Sequence, residues 1–210
     1  MTDEKKESKE STNWLVGFDK LLTPTFQYLG EELRDSVKAK LEEHKDKKKR
    51  ENTSLHLAAV IEREPEGKVE SIEQLELFSE WLEGAENISD TQKELSAIWR
   101  GILKDIKNGV SIDPVVIDKT KLMTPHEAEV LLHFKYSKML KRWEFLAETD
   151  RESYYLRELE KKDIVINNSL TFRIFGIAIS TRFWRLTWIG EHIRKMHDVW
   201  TDGKSGKNGT

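Results

Sequence analysis

The chain has 210 residues, 37% of them hydrophobic and 35% charged, with a net charge of −3 and no cysteine. The missing cysteines exclude disulfides, thiolate zinc sites and cysteine nucleophiles, and no apolar run approaches the roughly 20 residues a membrane-spanning helix needs. Charge is uneven: residues 1–134 hold 20 Lys and Arg against 28 Asp and Glu, and residues 135–210 hold 15 against 10. The basic C-terminal part suggests an anionic partner, contact between the two parts, or ordinary variation among helix faces.

Met1–Ser11 is charged, with nothing apolar after Met1 to bury. It reads as a disordered tail, 1–12, and not as a signal peptide, so a cytoplasmic location is expected. Residues 13–63 read as an amphipathic helical region ending in a basic linker. Trp14, Leu15, Phe18, Leu21 and Leu22 recur at helical spacing, as do Phe26, Leu29, Leu33, Val37 and Leu41 after Pro24. The hexapeptide Lys45–Arg50 carries +4, and Leu55–Glu62 is apolar without a decisive period.

Residues 68–148 read as a helical domain. Ser71–Gly84 turns Ile72, Leu75, Phe78 and Leu82 inward. Ser89-Asp90-Thr91-Gln92 has the form of a capping box, opening a helix that carries Leu95, Ile98, Trp99, Leu103 and Ile106 and stops at Asn108-Gly109. Asp113-Pro114 starts a short helix. Thr124-Pro125-His126-Glu127 caps another, expected to run on to Phe145 or beyond.

Residues 149–200 read as a winged-helix-like module: a mainly α chain ending in a β-ribbon at about 164–187. Thr149-x-x-Glu152 caps a helix that buries Tyr155, Leu156 and Leu159. Ile164–Ile166 is a short strand. Leu170, Phe172 and Ile174 alternate, and Ile177 and Ile179 alternate in the opposite phase, which suggests a bulge at Gly176 and a hairpin tip at Ser180-Thr181. Trp184, Leu186 and Trp188 alternate on the return, and Trp188 is expected to pack on the preceding helix. Thr187 caps a last helix, and 201–210 reads as a flexible tail.

No motif for catalysis or for a cofactor is present. His192 and His197 lie five apart, about 140° around a helix, which is unsuited to a shared metal. His126 and His133 share a face but have no committed acid. Glu127 and Glu129 lack a readable cleft, and capping already accounts for Glu127. Of the seven tryptophans, Trp81, Trp99 and Trp143 fit helix packing. The expectation is therefore a non-enzymatic protein acting through a protein or nucleic-acid partner. Its exposed contacts would be Arg182, Trp184 and Arg185, helped by Lys161 and Lys162. Acids interleaved along Arg151–Lys162 count against strong DNA binding. A second reading places Trp14, Phe18, Leu22 and Phe26 in a membrane surface, with Lys47, Lys48, Lys49 and Arg50 on anionic headgroups.

Five motifs occur in order: Leu22-Thr-Pro-Thr-Phe-Gln-Tyr-Leu-Gly-Glu-Glu-Leu-Arg-Asp35; Trp81 followed by Leu95-Ser-Ala-Ile-Trp-Arg-Gly-Ile-Leu103; Leu122-Met-Thr-Pro-His-Glu-Ala-Glu-Val-Leu131; Leu156-Arg-Glu-Leu-Glu-Lys-Lys-Asp-Ile-Val165; and Trp184-Arg-Leu-Thr-Trp-Ile-Gly190. Over about residues 14–197 this resembles the Abi-alpha (abortive infection alpha) family of bacterial proteins. The resemblance implies a setting in bacterial defence against phage. It implies no catalytic residues.

Overall fold

A computed structural model describes residues 47–64, 71–168, 171–174, 177–180 and 183–202. The expectations for 1–46, including Trp14 and Phe18, lie outside the described residues, as do those for Pro65-Glu66-Gly67, Gly176, Arg182 and the 203–210 tail. Among the described residues the chain is mainly helical, with seven helices and a four-stranded antiparallel sheet near the C-terminus.

The first helix, α1 (Lys47–Arg63), takes in both the expected linker and the apolar stretch after it. Its inward line is Asn52, Thr53, His56, Leu57 and Val60, half polar, which is why hydrophobic periodicity alone did not reveal it. Thr53 donates to the Lys49 carbonyl within the helix at 3.1 Å, and the other polar groups find partners on the loop after α2 (Ile72–Ala85). Asn52 Nδ2 donates to the Glu86 carbonyl at 2.9 Å, Lys49 pairs with the Glu86 carboxylate at 2.7 Å, and His56 Nε2 donates to the Ile88 carbonyl at 2.8 Å.

Helix α2 opens with a capping box, in which the Ser71 side chain accepts from the Gln74 amide and Gln74 reaches back. It buries Phe78 stacked on Trp81. Helix α3 (Lys93–Lys107) is the centre of the core, burying Leu95, Ile98, Trp99, Ile102, Leu103 and Ile106. It begins later than the Ser89 box predicts, and only half of that box forms. Gln92 accepts from the Ser89 amide, while the Ser89 hydroxyl bonds Thr91 instead of a helical amide. At its other end Gly109 takes φ +68°, a left-handed cap that a Cβ would strain.

Two short helices follow, α4 (Pro114–Lys121) and α5 (Pro125–Leu132), capped by Asp113 and Thr124 as expected. Helix α5 does not run to Phe145. It ends at Leu132, and the chain forms a hairpin, β1 (Lys135–Ser137) and β2 (Arg142–Leu146). Tertiary contacts decide this. Phe145 packs on Phe134 with ring centres 5.5 Å apart, and Tyr136 stands against Trp143 across the hairpin.

The module continues with α6 (Asp150–Lys161), β3 (Val165–Asn167), β4 (Thr171–Ile174), β5 (Ile177–Ser180), β6 (Phe183–Leu186) and α7 (Trp188–Asp202). Strand order in the sheet is β1-β2-β6-β3, so the return strand β6 lies between β3 and β2, as a winged-helix-like arrangement requires. The hairpin turns earlier than expected. Ile174 faces Ile177, so the reversal falls after Ile174 and not at Ser180-Thr181. The change of alternation phase is then the signature of that turn: residues paired across a two-residue connection have opposite parity.

One core runs through all of this, from Leu57 on α1 to Trp200 on α7. Its tightest seam is where α7 crosses α3. A Cβ on Gly101 would stand 1.9 Å from the Met196 carbonyl oxygen, so only glycine lets the two backbones meet there. Among the described residues no helix is long and apolar enough to cross a membrane.

Candidate functional site

Helix α6 supplies the basic surface of the module. Thr149 caps it, and Leu156 and Leu159 anchor it in the core. The side turned to solvent carries Arg151, Tyr154, Arg157 and Lys161, at the three- and four-residue steps of one helix face. The acids interleaved with them are mostly committed elsewhere. Glu152 accepts from the Thr149 and Glu148 amides, both at 2.9 Å. Slight burial pushes its carboxyl up, but those bonds outweigh it and hold the group below the usual carboxylate range. Glu160 accepts from the Asn167 amide at 3.3 Å, tying α6 to β3. Glu158 pairs with Lys161 at 2.6 Å, which raises the lysine above its ordinary value. The objection raised by those acids is therefore weaker in the fold than in the sequence.

Lys162 is not a partner contact. Its ammonium lies 2.5 and 2.6 Å from the two oxygens of Glu127, a buried carboxylate that also accepts from the Thr124 amide at 2.6 Å. It joins the end of α6 to the start of α5. Trp184 is not an exposed contact either, being 3% exposed. Strand β6 alternates, with Trp184 and Leu186 facing the core and Phe183 and Arg185 facing away. The tryptophan at the surface is Trp188, 50% exposed, with its ring edge-on to His192 and not packed on α6.

Arg185 is half-buried on the outer face of the sheet, in the rung Ile166, Arg185, Glu144, Lys135. Helix α6 shares the core with the inner face, so Arg185 and Lys161 belong to different sides of the module. On α1, Lys47–Arg50 forms the first turn of a helix, with Lys49 held by Glu86.

The histidines take structural contacts. His197 bridges α7 to Glu94 on α3 at 2.8 Å, His192 Nδ1 donates to the Trp188 carbonyl at 2.8 Å, and His126 meets Glu129 at 3.2 Å. Among the described residues no group of three or more His, Asp or Glu is placed to hold a metal ion. Sequence reasoning missed His56, which is fully buried. Burial, and to a lesser extent Arg100, lower its pKa and the Ile88 bond and Asp90 raise it, leaving it at about 4. The four-residue steps from Asn52 to His56 to Val60 were the available signal.

No protein-family model, no curated protein and no solved structure matches this chain.

Proposed function

We propose that this is a non-enzymatic binding protein whose winged-helix-like end takes an anionic macromolecule, a nucleic acid, on the solvent side of α6. The observation that carries the reading is the exposed stripe Arg151, Tyr154, Arg157 and Lys161, with Glu152 and Glu160 turned back to backbone amides. Arg151 and Arg157 can meet phosphates, with Lys161 shared with Glu158, and the tyrosine between the arginines offers a ring for stacking. The resemblance to the Abi-alpha family supports a setting in phage defence, with binding as the means by which the protein acts.

Fluorescence anisotropy with labelled duplex DNA, single-stranded DNA and RNA tests the reading. Binding should weaken steeply as salt rises, because bound phosphates release counterions. The R151E/R157E variant should bind much more weakly and with a shallower salt dependence, the log–log slope flattening by about one for each phosphate no longer neutralised. No binding to any of the three at low salt would end the proposal. For the setting, expression should lower phage plaquing in a way the same double substitution abolishes. Unchanged plaquing across a broad phage panel would remove the defence reading and leave the binding reading to the anisotropy.

A further inference from the structure

The hairpin β1–β2 ends in a turn whose side chains folding does not call for. Ser137 pairs with Arg142, so the turn is Lys138-Met139-Leu140-Lys141. Such positions ordinarily hold glycine, asparagine, aspartate or proline. Here Lys141 takes the positive φ of 50°, and the tip carries two apolar residues. Met139 is 84% exposed and Leu140 44%, so neither belongs to the core. Tyr136, next to the turn on β1, is 50% exposed with its ring edge-on to Trp143.

The sheet register places a further aromatic at the same end. Strands β2 and β6 run antiparallel, with Glu144 opposite Arg185 and Leu146 opposite Phe183. The Arg142 end of β2 therefore lies beside the Leu186 end of β6, and the turn and the start of α7 share one end of the sheet. Helix α7 begins there with the exposed Trp188. Single apolar residues on a surface need no explanation, but Tyr136, Met139, Leu140 and Trp188 gathered at one end mark an interaction site.

Charge selects the occupant. Between Glu129 and Glu144 the chain holds Lys135, Lys138, Lys141 and Arg142 and no acid, and Glu144 is itself paired with Arg142. The three lysines are exposed and, among the described residues, have no carboxylate partner. Helix α7 adds one exposed acid, Glu191, to this end. A second copy would set the lysines against their own equivalents. A nucleic-acid duplex would have to unstack bases to take Met139 and Leu140, and the lysines beside them offer it little base recognition in return. An anionic bilayer meets the whole pattern. The two apolar residues lead into the headgroup–acyl boundary, the flanking lysines reach lipid phosphates, and tyrosine and tryptophan suit the interface. We infer that the β1–β2 turn docks this end of the module on an anionic membrane surface, independently of what α6 binds.

Vesicle flotation of the full chain tests this, using phosphatidylcholine alone and with about 30% phosphatidylserine. The chain should float with the anionic vesicles only. M139S/L140S should weaken that binding at least about tenfold, and K138Q/K141Q about thirtyfold, or about fivefold for each lysine. Both should keep the native melting temperature, because the four side chains are exposed. The chain has no cysteine, so M139C takes a single environment-sensitive dye. Its emission should shift to the blue on anionic vesicles, while the same dye on L122C, exposed on the helical part, should not shift. Three results would overturn the inference: undiminished flotation of M139S/L140S; flotation lost in W14A/F18A but kept in M139S/L140S, which would move the docking to the N-terminal segment; or no flotation of the native chain, which, if M139S/L140S also weakened duplex binding in anisotropy, would make the turn a nucleic-acid wedge.

Discussion

His56 is the residue from which acid sensitivity should be measured. Its ring is fully buried between α1 and the α2–α3 loop, with Nε2–H on the Ile88 carbonyl and Nδ1 without a partner among the described residues. The ring is therefore neutral in the folded state, and a second proton would sit in an apolar setting near Arg100. Burial, the largest cause, lowers the folded-state pKa to about 4 from the ordinary 6.5. The sign follows from proton counting. Between pH 6.5 and 4 the unfolded chain binds this proton and the folded chain does not, so stability falls as pH drops through that window. At pH 5 the difference is RT ln of the ratio of the two binding polynomials, about 2 kcal/mol relative to pH 8. That is a large share of a typical domain's stability.

The assay is urea denaturation at pH 8 and pH 5 of the native chain and of His56→Gln, whose amide can still donate to Ile88. Subtracting one pH dependence from the other removes the carboxylates common to both. The native chain should lose about 2 kcal/mol more than the variant. In an NMR titration the His56 ring signals should stay those of the neutral form at about pH 5.5. Equal pH dependence in the two proteins, or a His56 ring that titrates near its ordinary value, would refute the account of a neutral, desolvated ring.

Three further substitutions test the packing. Gly101→Ala should lower stability by about 3 kcal/mol in denaturant melts, because its Cβ meets a backbone carbonyl of α7 and not a side chain that can rotate away. Lys162→Met should cost about 3 kcal/mol by leaving Glu127 buried without its cation, and K162M/E127Q should cost less than K162M alone. Thr187→Val should cost about 1 kcal/mol, since the hydroxyl accepts from the Gly190 amide and donates to the Asp163 carbonyl at 2.7 Å, whereas Thr187→Ser should cost little.

What could be read from the sequence was local. The boxes at Thr124 and Thr149, the Asp113-Pro114 start and the Gly109 stop each involve residues within four positions of one another, and each forms. What could not be read was decided at a distance. The hairpin β1–β2 has no glycine, proline or asparagine in its turn, and Lys141 takes the positive φ of 50° itself. Its strands form because Trp143 lies under the Arg194 guanidinium, 4.1 Å away, and Phe145 lies against Phe134. Arg194 is remote in sequence from Trp143, and around Phe134 the helical spacing of α5 spoke for the wrong element. The same limit explains Trp184. Its alternation with Leu186 was visible, but which phase faces the core was set only when β2 and β3 paired on either side of β6.

Phase along β3 and β6 decides which of their residues stabilise the module. Near the base, the core-facing positions are Val165, Trp184 and Leu186, all buried. Sliding the register of β6 by one residue would turn Trp184 and Leu186 out of the core and forfeit their burial. Changes at Trp184 or Leu186, on the buried phase of β6, should thus lower the melting temperature more than changes at Phe183 or Arg185 on its other phase.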